Sequence, residues 1–156
     1  MKKITFLIAA LLFITISFAQ DNSMKNEVEL IQDAFGFEKK DVMSEFVNLD
    51  GVDADKFWSI YNEYEVQRKK LGKERIDLLY KYTMHEGAVS NMQAEKVLDK
   101  AIPLRSAEDN LILKYTKKLK KATNPLVASQ FYQIEHYISD GIRFTILDNI
   151  NFIQDK

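Results

Sequence analysis

Between Ala54 and about His85 the chain repeats one pattern. Phe57, Tyr61, Tyr64, Arg68, Leu71, Arg75, Leu78 and Tyr82 step 4-3-4-3-4-3-4, with polar residues filling the gaps. That rhythm is the seam of an amphipathic helix of coiled-coil type, carrying two arginines. Gly72 is the weakest helix former in the run, costing about 1 kcal/mol relative to Ala. Glu86-Gly87-Ala88-Val89 breaks the pattern. Ser90, with Gln93 three residues on, forms a capping box that opens a second long helix to about Ala122. Its seam, Ala94, Leu98, Ala101, Arg105, Glu108, Ile112, Tyr115 and Leu119, has the same step. The apolar rhythm keeps phase through Pro103, which predicts a bend there and not a break.

Asn124-Pro125 supplies an N-cap with proline at the first helical position. A third long helix follows, with Phe131, Glu135, Ile138, Ile142 and Thr145 on one side. Upstream, Val28, Ile31 and Phe35 mark a short amphipathic helix stopped by Gly36, and Val42 and Phe46 mark another over residues 38–47. Asn48 to Asp53 reads as a loop, with Asp53 as an N-cap. The elements predict an all-α protein: a long antiparallel hairpin of roughly 45 Å, a packed third helix and two short N-terminal helices. Residues 150–156 form a tail containing Ile150, Phe152 and Ile153.

Folding the hairpin about residue 88 sets Phe57 opposite Leu119, Tyr61 opposite Tyr115 and Leu78 opposite Leu98. Arg68 falls opposite Glu108, and a second turn near residue 123 brings Glu135 to the same layer. A structural ion-pair network of Arg68, Glu108 and Glu135 is therefore expected, since a polar layer between apolar seams fixes register more often than it does chemistry.

The first 19 residues have a different pattern. Lys2 and Lys3 precede an apolar stretch from Ile4 to about Ile16, and Ser17 and Ala19 are the small residues before Gln20. This is the form of a secretory signal peptide, too short for a membrane span of about 20 residues. Residues 20–156 are then one helical domain, exported to the periplasm, with no later stretch apolar enough to cross a bilayer. Removing the two leader lysines takes the net charge from −1 to −3, which argues against a nucleic-acid partner.

Composition narrows the chemistry. Cys is 0 and His is 2, so disulfides, thiolate metal sites and a cysteine nucleophile are excluded. A di-iron bundle needs Glu-x-x-His on facing helices, but the residues three before His85 and His136 are Tyr82 and Gln133. Asp50-Gly-Val-Asp53-Ala-Asp55 lacks the alternating ligands of a calcium loop. No metal, cofactor or catalytic residue is expected, and no enzyme. Lys114, Lys117, Lys118, Lys120 and Lys121 cluster late in the second long helix. They complement the helix dipole and also form a basic rim suited to acidic or unfolded segments.

Phe57-Trp58-Ser-Ile60-Tyr61-Asn-Glu63-Tyr64-Glu65 resembles the Phe-Trp-x-Ile-Tyr-x-x-Tyr-Glu segment of small exported bacterial helical proteins. That group is distantly similar to the Spy and CpxP family of periplasmic stress proteins with LTxxQ motifs. Val89-Ser90-Asn91-Met92-Gln93 is similar to LTxxQ, with Val for Leu and Ser for Thr. Phe131-Tyr132-Gln133-Ile134-Glu135 resembles a Phe-x-Gln-x-Glu segment late in the closer group. The resemblance spans about residues 27–150. It implies a helical hairpin, in some members a homodimer, that holds unfolded or partly folded polypeptides without ATP. The function expected is that of a periplasmic ATP-independent chaperone-like, envelope-stress protein. The alternative is a regulatory or scaffold module docking on a membrane sensor or anti-sigma partner.

Overall fold

The computed structural model describes residues 39–83 and 89–148. The segment expected to be a signal peptide, the helix expected over residues 24–35, most of the expected hairpin turn and the C-terminal tail lie outside the described residues. Those described are all-α: α1 (residues 39–46), α2 (Ala54–Thr83), α3 (Asn91–Ala122) and α4 (Pro125–Asp148), without a strand among them.

Local chemistry sets the helix starts. Asp53 Oδ1 accepts the Lys56 amide at 2.9 Å and so caps α2. At α3 the capping box closes both ways: Ser90 Oγ accepts the Gln93 amide, and Gln93 Oε1 accepts the Ser90 amide at 2.9 Å. Asn124 Oδ1 accepts the Val127 amide at 2.9 Å at the start of α4. Pro125, at the first position there, has no amide to satisfy. In the loop before α2, Gly51 has φ +72°, a left-handed conformation that glycine adopts without a Cβ penalty. Helix α3 runs unbroken through Pro103.

Three helices pack up, down and up. Lys118 on α3 reaches Glu63 on α2, Gln67 donates to the Tyr115 hydroxyl at 2.5 Å, and Arg75 lies 3.1 Å from Glu108. Rising numbers on α2 meet falling numbers on α3, so the two helices are antiparallel. Helix α4 returns antiparallel to α3 through Arg143, 3.2 Å from Glu108, and parallel to α2 through Tyr64, whose ring centroid is 5.2 Å from that of Phe131.

The core gathers at the end where α1 joins the bundle. Met43, Val47, Phe57, Ile60, Tyr61, Tyr64, Ile112, Tyr115, Leu119, Val127, Ala128 and Phe131 are buried together. Burying one such side chain contributes about 1.5–3 kcal/mol. The apolar face of α1 differs from the expected one: Val42, Met43 and Val47 are inward with Lys39, and Phe46 is 45% exposed.

The α3 seam also departs from a strict heptad. Leu98 and Arg105, assigned to the seam by spacing, are exposed, whereas Leu111 and Ile112 are buried. A straight helix drifts about 20° per heptad relative to a 3.5-residue repeat. Two heptads before Ile112, the predicted stripe has therefore rotated away from the partner helix.

Candidate functional site

Two polar clusters and two surface regions carry the chemistry of the bundle. The first cluster is centred on Lys39, which only 1% of its surface leaves exposed. Helix α1 delivers its Nζ to 2.7 Å from Glu65 Oε1 on α2 and 2.6 Å from Glu135 Oε2 on α4. The Tyr64 hydroxyl donates to the same Glu135 oxygen at 2.5 Å. The ammonium also lies 4.8 Å from the Tyr64 ring centroid, within cation–π reach. One lysine thus ties three helices together.

The two carboxylates respond in opposite directions. For Glu65, burial works against ionisation, but Lys39 and Arg68 outweigh it and hold the group below its ordinary value. For Glu135, burial dominates even with Lys39 beside it, and its pKa is raised. Burial likewise raises the hydroxyl pKa values of Tyr61 and Tyr64, with help from nearby Glu65 and Glu135. Glu135 Oε1 and the Tyr61 hydroxyl are buried without a hydrogen-bond partner among the described residues.

The second cluster lies further along the bundle. Glu108 receives Arg75 from α2 at 3.1 Å and Arg143 from α4 at 3.2 Å, and Arg143 also reaches Asp109 and Asp140. A small cavity of about 30 Å³ lies between the clusters, touched by Lys39, Arg68, Arg75 and Glu108. Its size suits one or two waters.

The expected network of Arg68, Glu108 and Glu135 is divided between these clusters. Arg68 forks onto Glu65 with two bonds of 2.9 Å. Burial alone would lower its pKa, but Glu65 reverses this and Glu135 adds to the effect, so Arg68 is held more firmly charged. The position opposite Glu108 belongs to Arg75, one heptad beyond Arg68. A repeating seam packs nearly as well after a seven-residue slip, so spacing alone did not choose between the arginines. Lys39 was missed because it lies 26 residues from Glu65 and sits on a short helix. The signal available was its place four residues before Met43, on the inward face.

The lysines of α3 also divide. Lys118 pairs with Glu63, and Lys114 donates to Gln67 at 3.3 Å. Lys117, Lys120 and Lys121 are exposed. Near them are apolar side chains that the bundle leaves in solvent: Leu113 is 42% exposed and Leu126 63%. Further along, Ile102 and Phe144 are exposed by 62% and 72%. Tyr132 packs on His136 with centroids 4.3 Å apart.

Among the described residues, no group of three His, Cys, Asp or Glu side chains could hold a metal ion, and no helix is long and apolar enough to cross a membrane. No family model matches the chain, and neither a curated protein nor a solved structure is similar to it.

Proposed function

We propose that the protein is a periplasmic, ATP-independent chaperone-like protein of the envelope-stress type that binds non-native polypeptides. The observation that carries this reading is the set of large apolar side chains left exposed on α3 and α4, the former also carrying the exposed lysines. Leu98, Ile102, Leu113, Leu126, Tyr137 and Phe144 are each between 42% and 72% exposed, while the buried core is concentrated at the α1 end. Exposed apolar surface beyond scattered single residues marks an interaction region. Lys117, Lys120 and Lys121 would attract acidic stretches of a client at long range. The neighbouring apolar side chains would then hold it without a defined sequence.

The reading also rests on the resemblance of Phe57 to Glu65 to small exported helical proteins and of Val89 to Gln93 to the LTxxQ motif of periplasmic stress proteins. Aggregation suppression tests it: two unrelated aggregating clients, followed by light scattering without nucleotide, should both stay soluble at near-stoichiometric protein. Unaltered scattering of both clients would overturn the proposal. Retention of one membrane sensor from envelope extract, with no effect on either client, would favour the docking-module reading.

A further inference from the structure

Away from the basic face, α2 and α3 flank a shallow, open cleft of about 440 Å³, within the range of small-ligand and peptide-side-chain sites. Its floor is apolar, built from Leu71 and Leu78 of α2 with Leu104 of α3. Its rim is acidic: Glu74 and Asp77 on α2 and Asp99 on α3. All three acids are exposed. None of them forms an ion pair with a described residue. Among the described residues one cation, Lys100, lines the same cleft, so their side chains give it an excess of two negative charges.

We propose that this cleft is a docking site for a cationic, apolar-flanked peptide segment of another polypeptide. The chemistry of lysine and arginine fits both surfaces at once. Their methylene stems lie well on apolar side chains while the charged heads stay in water or on carboxylates. Here the leucines would take the stems, and Glu74, Asp77 and Asp99 would take the heads. The lining of α2 runs from Leu71 to Leu78, about 10 Å along the helix. That length takes roughly three residues of extended peptide, at about 3.3 Å each, so the site reads a short basic–apolar stretch and not a whole domain. This selects clients of opposite charge to those drawn by Lys117, Lys120 and Lys121. The proposal therefore stands or falls apart from the reading of the basic face.

The test is fluorescence anisotropy of the purified protein with a labelled ten-residue peptide of alternating Lys and Leu, against its Glu–Leu counterpart. The Lys–Leu peptide should bind, more weakly at high salt, and the Glu–Leu peptide should not. The triple variant Glu74→Gln, Asp77→Asn, Asp99→Asn should weaken binding roughly tenfold, since each exposed pair contributes up to a few-fold. These acids are exposed, so the variant should keep the parent's circular dichroism and melting. Ala107→Trp, which fills the cleft from α3 without changing charge, should weaken binding at low and high salt alike. Replacing Lys117, Lys120 and Lys121 with Gln should leave this peptide's binding unreduced. Equal binding of both peptides, or parental affinity in the triple variant, would overturn the proposal. A concentration-dependent dimer in sedimentation that the triple variant loses would also overturn it, by giving the cleft to a second copy of the chain.

Discussion

Replacing Lys39 with Met removes the one charge shared by α1, α2 and α4 while keeping most of the side chain's volume. The two carboxylates are affected unequally. Glu65 retains the two bonds from Arg68, and 12% of its side chain remains in contact with solvent. Glu135 is fully buried and is left with the Tyr64 hydroxyl. Removing one partner of a buried pair costs about 3–5 kcal/mol, so Lys39→Met should consume a large part of a stability of roughly 5–15 kcal/mol.

Adding Glu135→Gln removes the stranded charge, and the double variant should recover about 1–3 kcal/mol of that loss. Urea unfolding, followed by fluorescence of Trp58 and by circular dichroism, measures both. Trp58 is the single tryptophan, and Lys40 of α1 lies 5.2 Å from its ring, so it also reports on α1 itself.

The pH dependence has a definite sign. Glu135 has a raised pKa in the folded state, so its protonated form is the one folding favours. Its contribution is full below the ordinary carboxyl value and is lost as pH rises through the folded value. Without Lys39, which lowers that pKa, the loss should deepen. The Lys39→Met penalty should therefore be largest near neutral pH and shrink on mild acidification. A penalty under 1 kcal/mol, or one that Glu135→Gln does not relieve, would refute the reasoning.

Other consequences follow from the same geometry. Arg68→Leu should cost less than Lys39→Met in the same urea assay, because Glu65 keeps Lys39. Glu108→Leu should cost more than Arg75→Leu or Arg143→Leu alone, since it leaves two part-buried guanidinium groups without their shared carboxylate; thermal melting ranks the three. Ser90→Ala and Asn124→Ala should each cost about 1 kcal/mol through loss of a cap. Changing Lys117, Lys118, Lys120 and Lys121 to Gln should slow client capture in stopped-flow measurements at low salt more than it raises the dissociation rate. At high salt the two proteins should converge.

What the chain discloses in advance is what is decided locally. Asp53, the Ser90–Gln93 box and Asn124-Pro125 act within one turn of backbone, and each helix start is where the residues place it. The long amphipathic runs likewise carry their fold class in their spacing. Register is a non-local property. Arg68 and Arg75 hold equivalent seam positions, and nothing near either selects the partner of Glu108. The choice comes from how α1 and α4 fill the other end of the bundle. Lys39 is the sharpest case, because a lysine reads as surface until two carboxylates from distant helices are brought to it. The exposure of Leu98 has the same origin: its spacing matches the seam, but helical drift turns it outward.

The central claim is that α3 and α4 hold non-native polypeptides through exposed apolar side chains, α3 also carrying the exposed lysines. Site-specific photo-crosslinking tests it most directly, with the reactive group placed in turn at Leu98, Leu113, Leu126 and Tyr137 and, as a control, at Val66. Val66 is 71% exposed but lies on the opposite side of α2 from the core-facing Tyr64. Each protein is mixed with two unrelated unfolded clients. The account predicts crosslinks to both clients from the α3 and α4 positions and few from Val66. Crosslinks to neither client, or equal yields from every position including Val66, would contradict it.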